Sequence, residues 1–567
     1  MTTARHHTHW PVGVPLTLEA PDNTLFDRLE AAAHRTPDKT AVEYYGRATS
    51  FKELHRAVLH LAGYVQQHLD VARGDRVMLL MQNCPQFIIG FHAILRCDAV
   101  VVSLSPMSTS EEIHYFAKDS GARVIITTQD MQPRIEAAMA QGLITGCIVG
   151  AYVDMAGSAE GMPFLTVPEL VSEARQWGDQ SLRVQEHDFA GTLAAGIEPR
   201  PMQNRADDLA AIAYTSGTTG KPKGAMLKHR AFSLGVAQRS LWFPGSPDCC
   251  DLIVLPMNHV AGMCAMNQAI CEGRTIVLLA RWDAAAIPAL IELRRIDRWA
   301  AVTPMLVELL DRPELAQHDI SSLKRLYGGA TAMPEAVARE VEQRFGVPFI
   351  ECYGMTETCG SSHMNPPQAP RLQCGGIPQI NVDSRVIDPA TGSELGPNEA
   401  GEIVMHCAMQ FEGYWNRPEA TRAAFIEIDG KRFVRSGDIG HCDEDGYFYI
   451  TDRLKRMINV SGLKVWPAEV EACLFGHPAV QEACVIGVPD DRRGEAVKAL
   501  VVLKPSIPEG NVPQALTEFL RSRLAAYKIP RTVVLVDSLP RTGAGKVLWR
   551  VLQEQHAGQA VHASRAT

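Results

Sequence analysis

The stretch of sequence that decides the fold is Tyr214-Thr215-Ser216-Gly217-Thr218-Thr219-Gly220-Lys221-Pro222-Lys223-Gly224. It follows an apolar run over 209–213 that is typical of a buried strand, and it precedes a predicted helix over 231–239. Glycine lets a backbone approach a phosphate closely, and lysine supplies positive charge. The stretch therefore predicts a flexible polyphosphate loop between a strand and a helix. Taken alone, an ordinary surface loop explains it equally well. It lacks the Gly-x4-Gly-Lys-Ser/Thr spacing of a Walker A loop.

Segments typical of strands and helices alternate along most of the chain. Strand-like runs cover 76–81, 100–105, 121–128, 252–256 and 275–280, and helical spacing covers 26–34, 51–68, 85–95 and the stretches after Asp283 and Pro334. Ser108 and Glu111 match a capping box that would open a helix through Lys118. This alternation predicts an α/β fold with mostly parallel sheets flanked by helices.

Three further regions divide the rest of the chain. Residues 186–205 contain several glycines and prolines and are interpreted as an irregular connector. After about residue 376 the runs at 382–387, 401–405 and 447–450 predict a small β-rich subdomain. From Lys455 onward a compact α+β tail is long enough to form a separate domain. A chain of 567 residues is too long for one core in any case.

The composition limits the classes of protein to which the chain can belong. It is 46% apolar and 21% charged, as globular proteins are, and its formal charge of −9 argues against a nucleic-acid surface. No apolar run is long enough to span a membrane. The start, with His6, His7 and His9, lacks the apolar core of a signal peptide, and we interpret it as a mobile solvated terminus rather than a metal site. The 14 cysteines include no Cys-x-x-Cys pair, which favours buried reduced thiols in a cytoplasmic protein.

Two acidic motifs follow predicted strands. Glu357, in Tyr353-Gly354-Met355-Thr356-Glu357, is placed to hold Mg²⁺ on a nucleotide phosphate to which Thr356 could donate. A Thr/Glu pair at the start of a helix would explain the same pentapeptide. Asp438, in Arg435-Ser436-Gly437-Asp438, could accept hydrogen bonds from both hydroxyls of a ribose, or could form an Asx-turn.

Basic residues mark two further places. Thr451-Asp452-Arg453-Leu454-Lys455-Arg456 lies where the fold pattern changes, as expected of a polar joint between domains. Pro540-Arg541-Thr542-Gly543-Ala544-Gly545-Lys546 is a second glycine-rich loop with a lysine, either solvent-exposed or able to deliver one cation to an anionic site. A phosphate loop, a metal carboxylate, a ribose acceptor, a hinge and a distal lysine together indicate an ATP site.

The order of these motifs, from Tyr214 to Lys546, resembles the adenylate-forming superfamily of acyl-CoA synthetases, luciferases and peptide-synthetase adenylation domains. The chain looks most like bacterial medium- and long-chain fatty acyl-CoA ligases. The resemblance implies an N-terminal AMP-binding domain over 1–453 and a small mobile C-terminal domain over 454–567, with a hinge near Lys455. It also implies a two-step reaction that uses ATP and Mg²⁺ to convert a carboxylic acid to acyl-AMP and then coenzyme A to form a thioester.

The resemblance assigns roles to individual residues. The residues implied at the β- and γ-phosphates are Thr215, Ser216, Gly217, Thr218, Thr219, Gly220 and Lys221. Those implied at adenine are Gly329, Ala330, Thr331, Tyr353 and Gly354, and those at the ribose are Asp438 and Arg453. Thr356 would contact the α-phosphate, Glu357 would bind Mg²⁺ and Lys546 would be needed for adenylation. Gly462, in the loop that lines the thiol tunnel, and Lys464 are expected to contact a cosubstrate.

The acid pocket is expected at Trp242, His259, Met263, Met305, Tyr327 and Gly328. Related chains often have an aromatic–His pair where this one has Asn258-His259, so His259 lines the pocket or packs in the core. Apolar residues dominate and no buried cation is evident, which predicts an apolar monocarboxylic acid, first of all a fatty acid. Aryl acids are the alternative, and an amino acid is less favoured because no carrier segment follows Lys546. The expected partners are small molecules, with room for peripheral membrane contact and for a monomer or a homodimer.

Overall fold

The computed structural model describes residues 2–176, 186–215, 221–329, 333–460, 463–490, 494–505, 507, 510–541 and 547–557. The helices in these ranges are α1 (Leu25–Arg35), α2 (Phe51–His68), α3 (Pro85–Arg96), α4 (Ser110–Ser120), α5 (Gln132–Ala140), α6 (Glu169–Ser172), α7 (Phe189–Ala194), α8 (His229–Trp242), α9 (Val260–Glu272), α10 (Ile287–Arg294), α11 (Thr303–Leu310), α12 (Glu335–Phe345), α13 (Pro418–Ala423), α14 (Pro467–Phe475), α15 (Val512–Arg521) and α16 (Trp549–Ala557).

The strands are β1 (Thr40–Tyr44), β2 (Arg47–Ser50), β3 (Arg76–Leu80), β4 (Val100–Leu104), β5 (Val124–Thr128), β6 (Gly146–Gly150), β7 (Glu186–Asp188), β8 (Leu209–Thr215), β9 (Lys223–Lys228), β10 (Cys250–Ile253), β11 (Thr275–Leu278), β12 (Arg298–Ala300), β13 (Arg325–Gly328), β14 (Phe349–Met355), β15 (Gly360–Met364), β16 (Ile377–Pro378), β17 (Val382–Ile387), β18 (Gly401–Cys407), β19 (Phe425–Ile428), β20 (Lys431–Cys442), β21 (Phe448–Arg453), β22 (Ile458–Val460), β23 (Leu463–Val465), β24 (Val480–Asp490), β25 (Gly494–Leu503) and β26 (Thr532–Leu535).

Two large sheets carry the predicted phosphate and nucleotide motifs. One has the order β7-β6-β5-β3-β4-β8-β9 and is parallel except at its β8/β9 edge. The other has the order β16-β15-β14-β13-β12-β10-β11-β1-β2, with a parallel centre from β14 to β1 and antiparallel strands at both ends. Strands buried on both faces read as continuous apolar runs, which explains β3, β4 and β5. The predicted α/β class with mostly parallel sheets is confirmed.

The chain forms two compact units. One comprises Met1–Ser384 and Met405–Val434, and the other comprises Arg385–Val404 and Arg435–Thr567. The second unit contains the sheet β23-β22-β25-β24 with β26 beside β25. Valine, isoleucine and leucine side chains of these strands pack with α14 and α15 in one cluster, while another cluster includes Leu552 of α16. This compact tail agrees with the small α+β domain predicted at the C-terminal end.

The N-terminal residues are packed, so their interpretation as a mobile solvated terminus is wrong. His6 is 4% exposed within a 3-10 helix over Thr2–His9. The Trp10 ring meets the Trp242 ring edge-on at 5.1 Å, and the Leu18 N–H donates to Asn381 Oδ1 at 3.1 Å. Burial, with a smaller effect of His7, lowers the pKa of His6 to about 4. In the described ranges no group of three or more His, Cys, Asp or Glu residues is arranged to hold a metal.

Two local predictions are corrected. The supposed irregular connector contains β7 and α7, whose N-cap Asp188 accepts from the Gly191 N–H. The capping box of α4 is formed by Thr109 and Glu112, one residue beyond the predicted pair, and α4 extends to Ser120. Of the helices that the structure describes, none combines the length and apolarity needed to cross a membrane. All 14 cysteines are free thiols, as predicted, and most are buried.

Candidate active site

The predicted phosphate loop connects two antiparallel strands. β8 ends at Thr215 and β9 begins at Lys223, with Tyr214 opposite Gly224 and Thr215 opposite Lys223. The Thr215 hydroxyl donates to the Lys223 carbonyl at 3.4 Å. The prediction of a loop that leads directly from a strand into a helix is therefore wrong, because β9 intervenes before α8. Of the predicted contacts, Ser216, Gly217, Thr218, Thr219 and Gly220 lie outside the described residues.

Two lysines at the base of this loop rest on aromatic rings. The Lys221 ammonium lies 5.4 Å from the centre of the Tyr115 ring, and the Lys223 ammonium lies 5.0 Å from that of Tyr414. The Tyr115 hydroxyl donates to the Pro222 carbonyl at 2.8 Å. Cation–π contacts of this kind stabilise a cation in place while leaving its N–H donors available to an anion. These contacts position the positive charges of Lys221 and Lys223 at the base of the loop, with Lys223 against Tyr414.

Glu357 lies at the other end of the Tyr414 side chain. It belongs to a 3-10 turn over Thr356–Thr358 that follows β14, and it is 6% exposed. The Tyr414 hydroxyl donates to Glu357 Oε1 at 2.6 Å, and the Phe411 N–H donates to the Glu357 carbonyl at 2.8 Å. Burial, then the neighbouring Glu357 charge, holds the pKa of Tyr414 well above its usual value, so Tyr414 remains a donor. One tyrosine therefore joins the predicted metal carboxylate to a lysine of the phosphate loop.

Sequence reasoning missed Tyr414. The segment around it extends the β8/β9 hairpin: the Met226 N–H donates to the Gly413 carbonyl at 3.0 Å, and the Trp415 N–H donates to the Gly224 carbonyl at 2.8 Å. The Trp415 indole N–H also donates to the Asp119 carbonyl at 3.1 Å. An aromatic pair after Gly413 was the available signal, but the pairing with β9 joins segments far apart in the chain.

The predicted adenine residues lie at the ends of neighbouring parallel strands. Tyr327 and Gly328 end β13, which pairs with β14 through Gly328 and Glu351, and Tyr353 lies further along β14. A Cβ on Gly328 would overlap the Ala301 carbonyl oxygen, and one on Gly329 would overlap the Cys352 carbonyl oxygen. Glycine is therefore required where these strand ends approach each other. Gly354 similarly faces the Gly360 carbonyl, while Ala330 and Thr331 lie outside the described residues.

Glu351 is a buried acid in this strand that the sequence reasoning did not single out. Its carboxylate accepts the Met333 N–H at 3.2 Å and the Gln373 N–H at 2.8 Å. Burial raises the pKa of Glu351 to about 7, partly opposed by those hydrogen bonds. The carboxyl group therefore connects the segments before and after β14 through hydrogen bonds. Above neutral pH it carries a charge that is poorly solvated, which destabilises the folded state.

Replacing Glu351 by glutamine is expected to change the pH dependence of stability. A folded-state pKa raised from 4.5 to about 7 contributes stability that is present below pH 4.5 and is lost as the pH rises through 7, on the order of 3 kcal/mol. The melting temperature of Glu351→Gln relative to wild type should therefore rise between pH 5.5 and pH 8. Glu342→Gln, on the exposed face of α12, is the control. An equal difference at both pH values would contradict the expected ionisation.

The predicted acid-pocket residues lie on several elements of the first unit. Trp242 of α8 is 1% exposed, and its indole N–H donates to the Asn365 carbonyl at 3.1 Å. Met263 is buried in α9, and Met305 is half-buried in α11. His259 is exposed and caps α9, accepting the Ala261 N–H at 3.3 Å. Its alternative interpretation as a core residue is therefore wrong.

The structure also corrects the expectation that this region lacks a buried cation. Arg239, one turn before Trp242 on α8, is 5% exposed. Burial raises the pKa values of the Cys352 thiol and the Tyr327 phenol to about 12, and the Arg239 charge opposes this in part. The pKa of the Cys264 thiol is lowered to about 6, first by a hydrogen bond with Cys359 and then by Arg239, against the effect of burial. The arginine thus lies among segments that contain predicted pocket residues.

In the second unit, Asp438 and Arg453 are opposite each other in the β20/β21 ladder. Asp438 is 3% exposed, and its N–H donates to Ser436 Oγ at 3.0 Å. The turn before it is held by Glu402, which pairs with the Arg435 guanidinium and accepts the Gly437 N–H at 3.1 Å. Backbone pairing therefore places the two predicted ribose residues side by side.

The predicted hinge lies just beyond that ladder. Lys455 falls in a 3-10 turn over Leu454–Arg456, which leads into β22. Asp452 accepts the Ala468 N–H at 2.7 Å near the start of α14, and the Arg456 guanidinium pairs with Glu471 of that helix. Lys464 is in β23, while Gly462 and Lys546 lie outside the described residues.

Known proteins resemble this chain along most of its length. The model of the AMP-binding enzyme family matches residues 29–415, and that of the AMP-binding enzyme C-terminal domain matches 469–546. A long-chain-fatty-acid–CoA ligase of Bacillus subtilis is 32% identical, with 96% of this chain and 97% of that protein covered. A feruloyl-CoA synthase of Amycolatopsis is 34% identical, with 91% and 96% covered. The structure of ATP-bound MatB from Rhodopseudomonas palustris has a TM-score of 0.82 at 28% identity, covering 95% of this chain and 99% of that one.

The chain belongs to the AMP-binding enzyme family. Its fold is that of the adenylate-forming enzymes, with a large N-terminal and a small C-terminal domain.

Proposed function

We propose that this AMP-binding enzyme is an AMP-forming acid–thiol ligase. It activates a carboxylic acid with ATP to acyl-AMP, releases pyrophosphate, and transfers the acyl group to coenzyme A. The observation that carries the proposal is the Tyr414 side chain, which joins the Glu357 carboxylate to Lys223 at the base of the phosphate loop. A carboxylate and a lysine fixed on one side chain suit a metal-bound polyphosphate.

The reaction follows from the charges that must meet. A carboxylate oxygen attacks the α-phosphorus of ATP, the bond to the bridging oxygen breaks, and pyrophosphate leaves. The coenzyme A thiolate then attacks the acyl carbon and AMP leaves. Two anions approach each other in the first step, so positioned positive charge is needed there. Glu357 provides the kind of hard oxygen ligand that Mg²⁺ prefers, and the bound ion would neutralise phosphate charge.

The remaining positions receive roles in the same reaction. The residues proposed to grip the β- and γ-phosphates are Thr215, Ser216, Gly217, Thr218, Thr219, Gly220 and Lys221. Adenine is proposed to lie against Gly329, Ala330, Thr331, Tyr353 and Gly354, with Thr356 at the α-phosphate. Asp438 and Arg453, side by side in one ladder, would hold the ribose hydroxyls.

The two steps would take place one after the other, with the C-terminal domain in a different position for each. The adenylation domain would cover 1–453, and the mobile domain 454–567 would turn at Lys455. Lys546 would serve adenylation, and the Gly462 and Lys464 loop would serve thioester formation. Separation of two reactions by domain rotation about a short hinge is an established way to use one site twice.

The acid is proposed to be a medium- or long-chain fatty acid. The long-chain-fatty-acid–CoA ligases of Bacillus subtilis and Escherichia coli match at 32% and 31% identity over nearly their whole length. The buried methionine Met263 and the ring of Trp242 offer apolar surface. An aryl acid is the second candidate, because feruloyl-CoA synthase and 4-coumarate–CoA ligase are as similar, at 34% and 31%. Amino-acid adenylation is less supported.

A panel of carboxylic acids with ATP and coenzyme A tests the function. Fatty, aryl and amino acids are each scored for AMP release and for thioester. Fatty or aryl acids should give both products in equal amounts. Pyrophosphate exchange supported by amino acids, with no thioester from any acid, would instead identify an amino-acid adenylation domain.

Replacing Tyr414 by phenylalanine should weaken adenylation by about 10- to 100-fold, because a hydrogen bond to a charged group contributes about 1.5–3 kcal/mol. The apparent Mg²⁺ requirement should rise, since the Glu357 carboxylate loses the donor that orients it. Pyrophosphate exchange over a range of Mg²⁺ concentrations measures both effects. Tyr64→Phe is the control, because it removes a hydroxyl hydrogen bond of the same unit to His187. An equal response of the two variants would contradict the role of Tyr414.

The enzyme is proposed to act in the cytoplasm. All 14 cysteines are free thiols, which supports a reducing compartment such as the cytoplasm. Peripheral contact with a membrane and a monomeric or homodimeric state are both compatible with small-molecule substrates.

A further inference from the structure

Arg239 is a buried cation with no carboxylate partner in the described part of the chain. It is 5% exposed, and within the described residues its Nε and Nη2 atoms find no hydrogen-bond acceptor. The buried side chains of Arg274 and Arg298 also have nitrogens without a hydrogen-bond acceptor, but both lie near a carboxylate. Arg274 is paired with Asp251 at 2.9 Å, and Arg298 lies 4.0 Å from the same carboxylate. A buried charge without a counter-ion is costly, so a protein retains one only where something supplies the missing charge.

The guanidinium lies among segments that carry residues proposed to line the acid pocket. Arg239 precedes the predicted pocket residue Trp242 by one turn of α8. A Cβ on Gly360, in the chain just after the Glu357 turn, would lie 3.7 Å from Nη1 and 3.2 Å from the sulfur of Cys264. Cys264 is the residue after Met263 on α9. Segments on α8, α9 and the start of β15 therefore meet around this charge.

The two unbonded nitrogens define what the arginine can recognise. Nε and Nη2 lie on one edge of the planar guanidinium, and their N–H bonds point in parallel. That edge matches the two oxygens of a carboxylate, which accepts both hydrogen bonds at once. A water molecule or a hydroxyl could satisfy one donor but would not balance the charge.

Cys264 is the nearest internal candidate for a counter-ion. Its thiol donates to the Cys359 carbonyl at 3.4 Å. A hydrogen bond with the Cys359 thiol, then the Arg239 charge and a hydrogen bond with Arg239, lower the pKa of Cys264 to about 6 against the opposing effect of burial. A single sulfur cannot fill both positions of the guanidinium edge, and Nε and Nη2 make no hydrogen bond to it. Within the described residues, the Nε and Nη2 edge therefore has no acceptor, and a planar anion would supply two.

We propose that Arg239 binds a second carboxylate of the acid substrate, so that the preferred acids are dicarboxylic. One carboxylate is activated at the α-phosphate, and the other pairs with the Nε and Nη2 edge. The proposal rests on the acid–thiol ligase function and deepens it, because it specifies the acid as a fatty or aryl acid with a carboxylate at its far end. The apolar residues beside Arg239 would contact the carbon skeleton between the two charges.

Matched pairs of acids test the proposal. Pyrophosphate release and thioester formation are measured for three pairs of acids: octanoate and octanedioate, hexadecanoate and hexadecanedioate, and benzoate and benzenedicarboxylate. For the dicarboxylate that wild type uses best, kcat/KM should be at least tenfold higher than for the monocarboxylate of the same pair. Arg239→Met, which keeps length without charge, should lose at least tenfold on the dicarboxylate and should retain or gain activity on the monocarboxylate.

Further measurements keep the outcomes separate. Cys264→Ser should leave the preference for the dicarboxylate intact. A wild type that prefers the monocarboxylate, or an Arg239→Met variant that loses activity equally on both acids, overturns the proposal. If no acid yields AMP, the ligase function fails, and calorimetric binding of the dicarboxylates to wild type and to Arg239→Met still decides the role of Arg239. Binding that is equal in the two proteins, or absent from wild type, would again overturn it.

Discussion

Replacing Lys546 by alanine is expected to reduce acyl-AMP formation by about 100- to 1000-fold or more, which is the usual effect of removing one group that stabilises charge in a transition state. Thioester formation from supplied acyl-AMP should largely survive. The two steps should respond differently because their reacting groups carry different charges. The first brings a carboxylate to a polyphosphate, and the second brings a thiol to an acyl carbon whose leaving group is already good.

The experiment separates the half-reactions. Pyrophosphate release in a single turnover measures the first, and thioester formation from synthetic acyl-AMP and coenzyme A measures the second. Lys504→Ala removes an exposed lysine of the same unit and should leave both rates unchanged. An equal loss in both half-reactions of Lys546→Ala would show that the lysine does not act in adenylation alone, and the proposed alternation about Lys455 would lose its main support.

Much of the fold could be predicted because its elements are set locally. Short apolar runs bounded by turns, such as β3 and β5, are buried on both faces, and the helices α1 and α2 show a clear apolar face. The start of α4 was predicted wrongly because the local sequence contains two possible capping boxes. Ser108 with Glu111 and Thr109 with Glu112 are both capping boxes by spacing, and only the packing of α4 selects the second.

Long-range pairing explains the other errors. β9 carries two lysines and a glycine among its six residues, a composition that argues against a strand, yet it is held between β8 and the segment around Gly413. The N-terminal residues were interpreted as solvated because of their histidines, whereas contact with Trp242 buries that region. In both cases tertiary contacts override the local preference of the chain.

The same limit applies to the candidate site. Glu357 could be proposed from sequence because it follows a strand within a recognisable pattern. Tyr414 could not, since its role depends on an edge-to-edge pairing with β9. Arg239 has the sequence appearance of a solvated helix position beside Gln238 and Ser240, and its burial is produced by α9 and the strand ends that cover α8. Its absence from the sequence-based pocket led to the prediction of a site without a cation.

Replacing Glu357 by glutamine is the most direct test of the proposed metal carboxylate. The glutamine oxygen can still accept the Tyr414 hydroxyl, which Glu357 Oε1 accepts at 2.6 Å, so the turn over Thr356–Thr358 should keep its structure. The side chain loses its negative charge and one of its two oxygen ligands. Adenylation should fall by about 100- to 1000-fold, and the Mg²⁺ concentration needed for half-maximal pyrophosphate release should rise.

Glu351→Gln provides the matched control for this variant, because it makes the same change in a buried carboxyl near the start of β14, the strand that Glu357 follows. That carboxyl accepts only backbone N–H groups in the described residues, so its replacement should alter stability with pH and leave the Mg²⁺ dependence unchanged. Comparable losses of adenylation in both variants would mean that the effect is not specific to Glu357 and would contradict its assignment as the metal carboxylate. A Glu357→Gln enzyme with the Mg²⁺ dependence of wild type would mean that the metal is held elsewhere. The comparison of Glu357→Gln with Glu351→Gln therefore decides whether Glu357 is the metal ligand. Both glutamates are buried near β14, but only Glu357 accepts a hydrogen bond from Tyr414, whose ring contacts Lys223 at the base of the phosphate loop.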